Sequence, residues 1–260
     1  MNVIELIKLI KKRLGKFEEF DKENNGLIFG NEENKINRIF FCWRLTLDIL
    51  NRLNPNLNTL IICHEPILFN VKYSLTPESN NSINSNKKKI KIIKSSRVNI
   101  ARFHLSLDSS LYGINKTLIK NLDLIEKKNF NYFSICELKK KERGVDFLIK
   151  IKKSIQSPFV GFVGDGDKML KRVLVVAGGG ANKEFVSFAL NNSCDALISG
   201  DSHMESKYLA YENDLFLIDP GHQNLEILGV KNFAEMIKKD LSSSSVEVKF
   251  IFNEDIEKIY

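Results

Sequence analysis

Near the C-terminal end of the sequence, the stretch Leu217-Ile218-Asp219-Pro220-Gly221-His222-Gln223-Asn224-Leu225-Glu226 puts a histidine and a glutamate four residues apart at the start of a predicted helix. Four residues is about one helical turn, so the imidazole and the carboxylate share a face and can grip the same cation. A second pair, His64-Glu65, closes the apolar run Leu60-Ile61-Ile62-Cys63 and is followed by Pro66, which ends a buried strand and turns the chain. Together the two pairs suggest a metal site. Imidazoles with carboxylates suit Zn, Mn, Fe or Ni, whereas oxygen ligands alone would suggest Mg or Ca.

The elements that must position these side chains alternate along the chain. A helix is expected over about Val3 to Leu14, then strands around Leu27 to Phe29 and Arg38 to Trp43. Thr46 leads into a helix ending near Leu53, and Leu60 to Cys63 reads as the next strand. Ser74 to Asn86 is rich in Ser, Asn and Pro and reads as a loop before a basic helix. Val98 to Phe103 is a strand whose C-terminal end delivers His104 and Asp108. The order is βαβ, as in an α/β sheet with sites at strand ends.

The pattern is interrupted near residue 126 by Lys127-Lys128-Asn129-Phe130-Asn131 and again by Lys139-Lys140-Lys141-Glu142-Arg143. A second α/β unit follows: helix Val145 to Ile155, strands Phe159 to Val163 and Val173 to Val176, a glycine turn, helix Lys183 to Leu190, and strand Ala196 to Ile198. The chain returns through Leu215 to Ile218 to the His222 helix, whose Leu225, Leu228, Phe233 and Ile237 suit packing against the first unit. The expected organisation is a discontinuous first α/β lobe over 1–125, a second over 126–218, and a return to the first over 219–260.

Composition narrows the function. The chain has 260 residues, 43% apolar and 27% charged, as in a soluble globular protein able to bury a sizeable core. No apolar run is long enough to span a bilayer, and the N-terminal segment reads as an amphipathic helix, not a signal peptide. Four widely spaced cysteines, Cys42, Cys63, Cys136 and Cys194, form no CxxC pair, so a reducing cytoplasm is expected. The net charge of +7 invites a nucleic-acid reading. Its densest run, Lys87-Lys88-Lys89-Ile90-Lys91-Ile92-Ile93-Lys94, has apolar residues at helical spacing and reads instead as a solvated helix face.

The ordered pieces resemble a known family, the Nif-three-like proteins with a dinuclear metal centre, also described as type 2 homologues of GTP cyclohydrolase I. Asn25-Gly26-Leu27-Ile28-Phe29-Gly30 is similar to the family's early NxGLxxG-like segment. His64-Glu65-Pro66 matches its His-His-Pro in the His-Glu-Pro form that one branch carries with a segment like Trp43-Arg44-Leu45-Thr46-Leu47-Asp48. His104-Leu105-Ser106-Leu107-Asp108 looks like its HxxxD, with Gly113-Ile114-Asn115 downstream. Gly178-Gly179-Gly180, Ser199-Gly200-Asp201 and Asp219-Pro220-Gly221-His222 through Glu226 are similar to its later signatures. The order and spacing of these pieces make the match specific, and it covers most of the chain.

The resemblance implies that His64, Asp108, His222 and Glu226 ligate two divalent ions, with Glu226 bridging them, in a cleft between the two lobes. Glu65 stands where much of the family has its second histidine. As a ligand it would add a negative charge and a harder donor, favouring Mn or Fe. His104 would coordinate or orient Asp108, and His203, beside Asp201, is the other histidine that could move protons. The resemblance further implies ring-shaped homo-oligomers, commonly hexamers. The activity expected is metal-dependent hydrolysis of a small molecule that the sequence does not name. A non-catalytic metal-binding or metal-delivery protein, or a nucleic-acid-associated regulator forming a ring, are the competing readings.

Other motifs add little chemistry. Val175 through Asn182 is a strand, glycine turn and helix start whose amides could hold an anion, but it lacks GxGxxG and the P-loop lysine and reads as a tight packing turn. Gly164-Asp165-Gly166-Asp167 lacks the downstream ligands of a calcium loop. No GxSxG elbow or cysteine nucleophile constellation competes with the metal site.

Overall fold

The computed structural model describes residues 1–15, 25–68 and 79–253. Its elements run α1 (Val3–Leu14), β1 (Gly26–Phe29), β2 (Arg38–Cys42), α2 (Leu47–Leu53), β3 (Thr59–Cys63), α3 (Ser79–Ser96), β4 (Asn99–Arg102) and α4 (Leu105–Ser109). They continue with α5 (Ile114–Asn121), β5 (Ile125–Asn129), β6 (Phe133–Arg143), α6 (Gly144–Ile155), β7 (Gly161–Val163) and β8 (Met169–Val176). The last are α7 (Lys183–Asn191), β9 (Ala196–Ile198), α8 (Met204–Glu212), β10 (Phe216–Asp219), α9 (His222–Asp240) and β11 (Glu247–Ile251). The result is a mixed α/β fold with two sheets. The chain divides into two compact units, one formed by Met1–Leu107 with residues 233–253, the other by Asp108–Asn232.

In the first unit the strand order is β1-β4-β3-β2-β11. β4, β3, β2 and β11 are parallel, and only β1 runs against its neighbour. Every residue of β3 and β4 is buried, the near-continuous apolar reading that a parallel sheet covered on both faces requires. One face packs Phe40, Cys42, Ile61, Cys63 and Ile100 against Ile49 and Leu50 of α2 and Ile93 of α3. Thr46 caps α2 by accepting from the Ile49 amide at 3.2 Å, as the sequence predicts for that helix start.

In the second unit the order is β5-β6-β8-β9-β10-β7, with β8, β9 and β10 parallel and the flanking strands antiparallel. The two-residue alternation of β8 sorts its side chains between two cores. Val173 and Val175 join Phe147 and Ile151 of α6, while Leu174 and Val176 join Val186 and Ala189 of α7.

Three expectations change. Of the loop read over Ser74 to Asn86, residues 74–78 lie outside the described residues, and the rest is helix, because α3 begins at Ser79. Ser and Asn are only modestly poorer helix formers, and extending a helix that already exists adds one hydrogen bond per residue fixed. The lysine-rich stretches read as interruptions are the hairpin β5–β6, turning at Asn131 with φ +70°. Their lysines fit there because β5 is an exposed edge strand, where charge guards against further pairing. Finally, Asp108 is not at a strand end but on the short helix α4 that follows His104.

Candidate metal centre

The donors of each unit stand where parallel strands end. In the first, β3 releases the chain after Cys63 into His64-Glu65, and both amides donate to the Trp43 carbonyl just past β2, at 3.1 and 2.8 Å. His64 is fully buried, and its Nδ1 meets the Phe103 carbonyl at 3.0 Å. A carbonyl can only accept, so the proton sits on Nδ1 and the lone pair on Nε2, the arrangement that readies an imidazole for a metal. Arg102 Nε donates to the His64 carbonyl at 3.0 Å and fixes the backbone behind it.

Glu65 is 9% exposed and lies between two basic groups, Arg44 Nη1 at 3.8 Å and His104 Nε2 at 3.9 Å. The His64 and His104 rings are 5.0 Å apart. The first unit therefore brings His64, Glu65 and His104 together, with His104 the most exposed of the three side chains at 31%. Asp108 is buried on α4.

In the second unit the ends of β8, β9 and β10 supply the glycine turn, Asp201 and the start of α9. His222 Nδ1 lies 2.7 Å from Asp201 Oδ2, and His222 Nε2 lies 3.2 Å from Glu226 Oε1. Two ligands about 2.1 Å from one ion at a tetrahedral or octahedral angle are themselves roughly 3 Å apart, so this spacing fits a shared cation. Burial works against the charged form of His222, but hydrogen bonds and charges from Asp201 and Glu226 overcome it and raise the imidazole to about 11. The hydrogen bond from His222 likewise holds the Asp201 carboxyl below its ordinary value despite partial burial. Two carboxylates thus converge on one imidazole in a cradle of excess negative charge, the electrostatics a divalent cation would satisfy.

The glycines explain why this cradle exists. A Cβ on Gly178 would fall 2.1 Å from Glu226 Oε1, and one on Gly179 would fall 2.7 Å from Asp201 Oδ2. On Gly200 it would fall 2.6 Å from the His222 backbone. The turn read from sequence as helix-on-strand packing is a turn that the site's own side chains fill. Asp201 also has φ +58°, a left-handed conformation that aims its carboxylate at His222. Sequence reasoning missed the orienting role of Asp201, whose only signal was its place in Ser199-Gly200-Asp201.

His203 is exposed at the N-cap of α8, and it lines a pocket of about 720 Å3 in the second unit with Phe159, Phe162, Asp201, Lys207 and His222. The basic run is mostly the expected solvated face, with Lys87, Lys88, Lys91 and Lys94 exposed, but Lys89 is buried and donates to the Ile67 carbonyl at 2.7 Å.

Among the described residues, His64, Glu65 and His104 of the first unit, and Asp108 and Glu226 of the second, are donors that could hold a metal ion. The fold and these donors define the class: a two-sheet α/β protein whose buried His, Asp and Glu groups could bind metal ions. The chain belongs to the Duf34/NIF3 (NGG1p interacting factor 3) family, whose pattern matches residues 1–257. It is 27% identical over 266 aligned positions to the "GTP cyclohydrolase 1 type 2 homolog" of Clostridium perfringens, covering 98% of this chain and 95% of that one. Among solved structures, a Bacillus cereus protein related to NIF3 superposes with a TM-score of 0.78 at 15% identity, covering 100% of this chain and 98% of that one. The Staphylococcus aureus hypothetical protein SA1388 gives 0.78 at 18% identity, covering 100% and 99%. At these identities the two structures speak for the fold.

Proposed function

We propose that this protein holds two divalent ions, Zn, Mn, Fe or Ni, in one dinuclear centre ligated by His64, Glu65, Asp108, His222 and Glu226, with Glu226 bridging, and that it hydrolyses a small molecule there. The observation that carries the reading is the His222–Glu226 pair, 3.2 Å apart, with Asp201 behind the imidazole and no room for a side chain at Gly178. Family membership supports treating the two donor groups as one centre. The proposed assembly is a homo-oligomeric ring of six copies in the cytoplasm, where the four free cysteines would stay as thiols.

When bound, two divalent ions supply Lewis acidity, giving a nucleophile at neutral pH and stabilising the negative charge that develops on the substrate. The protein's part is orientation and proton movement. The Phe103 carbonyl keeps His64 in the tautomer with its lone pair on Nε2, while Asp201 holds the Nδ1 proton of His222, so the Nε2 proton facing Glu226 is the one a metal would displace. Arg44 offsets the charge of Glu65. His104, beside Glu65, and His203, in the pocket with His222, are the groups we assign to proton movement.

The test is elemental analysis of protein purified without added metal. Two ions per chain are expected, with both lost in Glu226→Ala and mainly one in His64→Ala. Two ions retained in Glu226→Ala would remove Glu226 from the centre. A phosphoesterase and nucleotide screen of the same sample separates a hydrolase from a metal-delivery protein, which would show exchangeable metal and no turnover.

A further inference from the structure

We propose that Asn253, far along the sequence from His64-Glu65, is a positioning residue for that pair: its side-chain amide holds the peptide on which both of their backbone amides hang. The effect on an ion rests on the reading of His64 and Glu65 as metal donors. The effect on the two residues themselves does not.

All the groups involved belong to the first unit. There β2 has β3 on one side and β11 on the other, both parallel to it, and the paired residues run out together at Cys42, opposite Cys63 and Ile251. One step further the β3 side continues through the main chain, because the Trp43 carbonyl accepts from the amides of His64 at 3.1 Å and Glu65 at 2.8 Å. The β11 side continues through a side chain. Two residues past Ile251, Asn253 Oδ1 accepts from the Arg44 amide at 3.2 Å and Asn253 Nδ2 donates to the Arg44 carbonyl at 2.7 Å. A longer β11 would offer Arg44 one main-chain acceptor and one donor, and the primary amide of asparagine carries one of each.

The Trp43 carbonyl and the Arg44 amide are the two ends of one planar peptide. Asn253 therefore fixes the orientation of the group that His64 and Glu65 share. Rotating that plane to free its N–H from Asn253 swings the carbonyl out of line with both amides, and hydrogen bonds weaken steeply as they bend. Asn253 is buried, so truncating its side chain leaves the two Arg44 groups short of partners in a place poor in water. Arg44 rides on the same link. Its Nη1 lies 3.8 Å from Glu65 Oε2, so the position of this peptide also sets the positive charge beside Glu65.

The test uses the full-length protein and two readouts: hydrogen exchange followed by mass spectrometry, and Zn2+ affinity by competition with a chromogenic chelator. In Asn253→Ala, exchange in peptides spanning residues 60–66 should quicken severalfold while that of 99–103, in and beside β4, stays as in the wild type. Zn2+ affinity should fall about fivefold or more. Should that variant fail to fold, Asn253→Asp, which keeps the acceptor and loses the donor, carries the same expectation with a smaller change. Arg44→Met removes the guanidinium and keeps the backbone links, so it should leave exchange at 60–66 unchanged and should not weaken Zn2+ binding. Unchanged exchange at 60–66 in Asn253→Ala, equal quickening at 60–66 and 99–103, wild-type Zn2+ affinity, or the same loss in Arg44→Met would each overturn the proposal. A wild type that takes up no Zn2+ would remove the metal reading, and exchange at 60–66 would then decide for or against Asn253 by itself.

Discussion

At Gly178 a backbone requirement and a site requirement coincide. Its φ of +78° is one that only glycine adopts cheaply, and the space where a Cβ would stand is taken by Glu226 Oε1. Gly178→Ala should therefore cost about 1–3 kcal/mol of stability and displace the Glu226 carboxylate. Urea denaturation and elemental analysis check it, and a variant with wild-type stability and wild-type metal content would contradict it. The sequence makes the candidate donors legible, because His222 and Glu226 sit one helical turn apart and His64-Glu65 closes an apolar run. The supporting residues are hidden. That Gly178 and Gly179 must lack side chains follows from what α9 places against them, and the aim of Asp201 follows from its left-handed backbone. Neither condition has a local sequence period.

The elements divide along the same physical line. Strands buried on both faces, such as Thr59–Cys63 and Ala196–Ile198, are legible because the apolar run is continuous, and Thr46 marks a helix start through its cap. The β5–β6 hairpin is not, since an exposed edge strand made of lysines carries no burial signal. Helix α3 shows a further gap between pattern and packing, because Lys89 stands in a run that reads as solvated and is yet 3% exposed. Burial, then repulsion from Arg44, draws its ammonium from 10.5 down to about 8. Between those values the unfolded chain holds a proton that the folded chain has released, so this group adds stability as pH rises, by up to about 1.4 kcal/mol per pH unit. Cys63, pushed up by burial from 9.0 to about 12, acts the other way above pH 9.0. His222, raised to about 11, and the buried Cys42, Cys136 and Cys194, raised above 9.0, also act the other way, so a net fall is expected between about pH 8 and pH 9, and Lys89→Met should steepen it. Urea midpoints of the wild type and the variant that run parallel through this interval would contradict the assignment.

On the scale of the whole molecule, the alternation of apolar runs and helical spacing makes the mixed α/β class and its two sheets readable, while charge is the poorest guide. The excess of +7 suggests a nucleic-acid surface until the lysines are placed. Several are already answered within the protein: Lys127 pairs with Glu137 at 3.3 Å, Lys139 with Asp123 at 2.7 Å, and Lys116 with Glu126. The exposed remainder on α3, Lys87, Lys88, Lys91 and Lys94, is a row of flexible ammonium groups with no aromatic side chain in the run on which a base could stack. Phosphate neutralisation is then the available source of affinity for single-stranded DNA, and a dissociation constant in the non-specific range of roughly 10⁻⁴ to 10⁻⁶ M is expected near physiological salt. Because each neutralised phosphate releases counterions, log affinity should fall linearly and steeply with log salt, by about 0.7 per contact on a single strand. Light scattering of the same sample should show an oligomer whose size does not change when the DNA is removed. Tight binding that survives high salt and prefers one sequence would require base-reading groups that α3 does not carry, and would make nucleic-acid recognition the primary role of this surface.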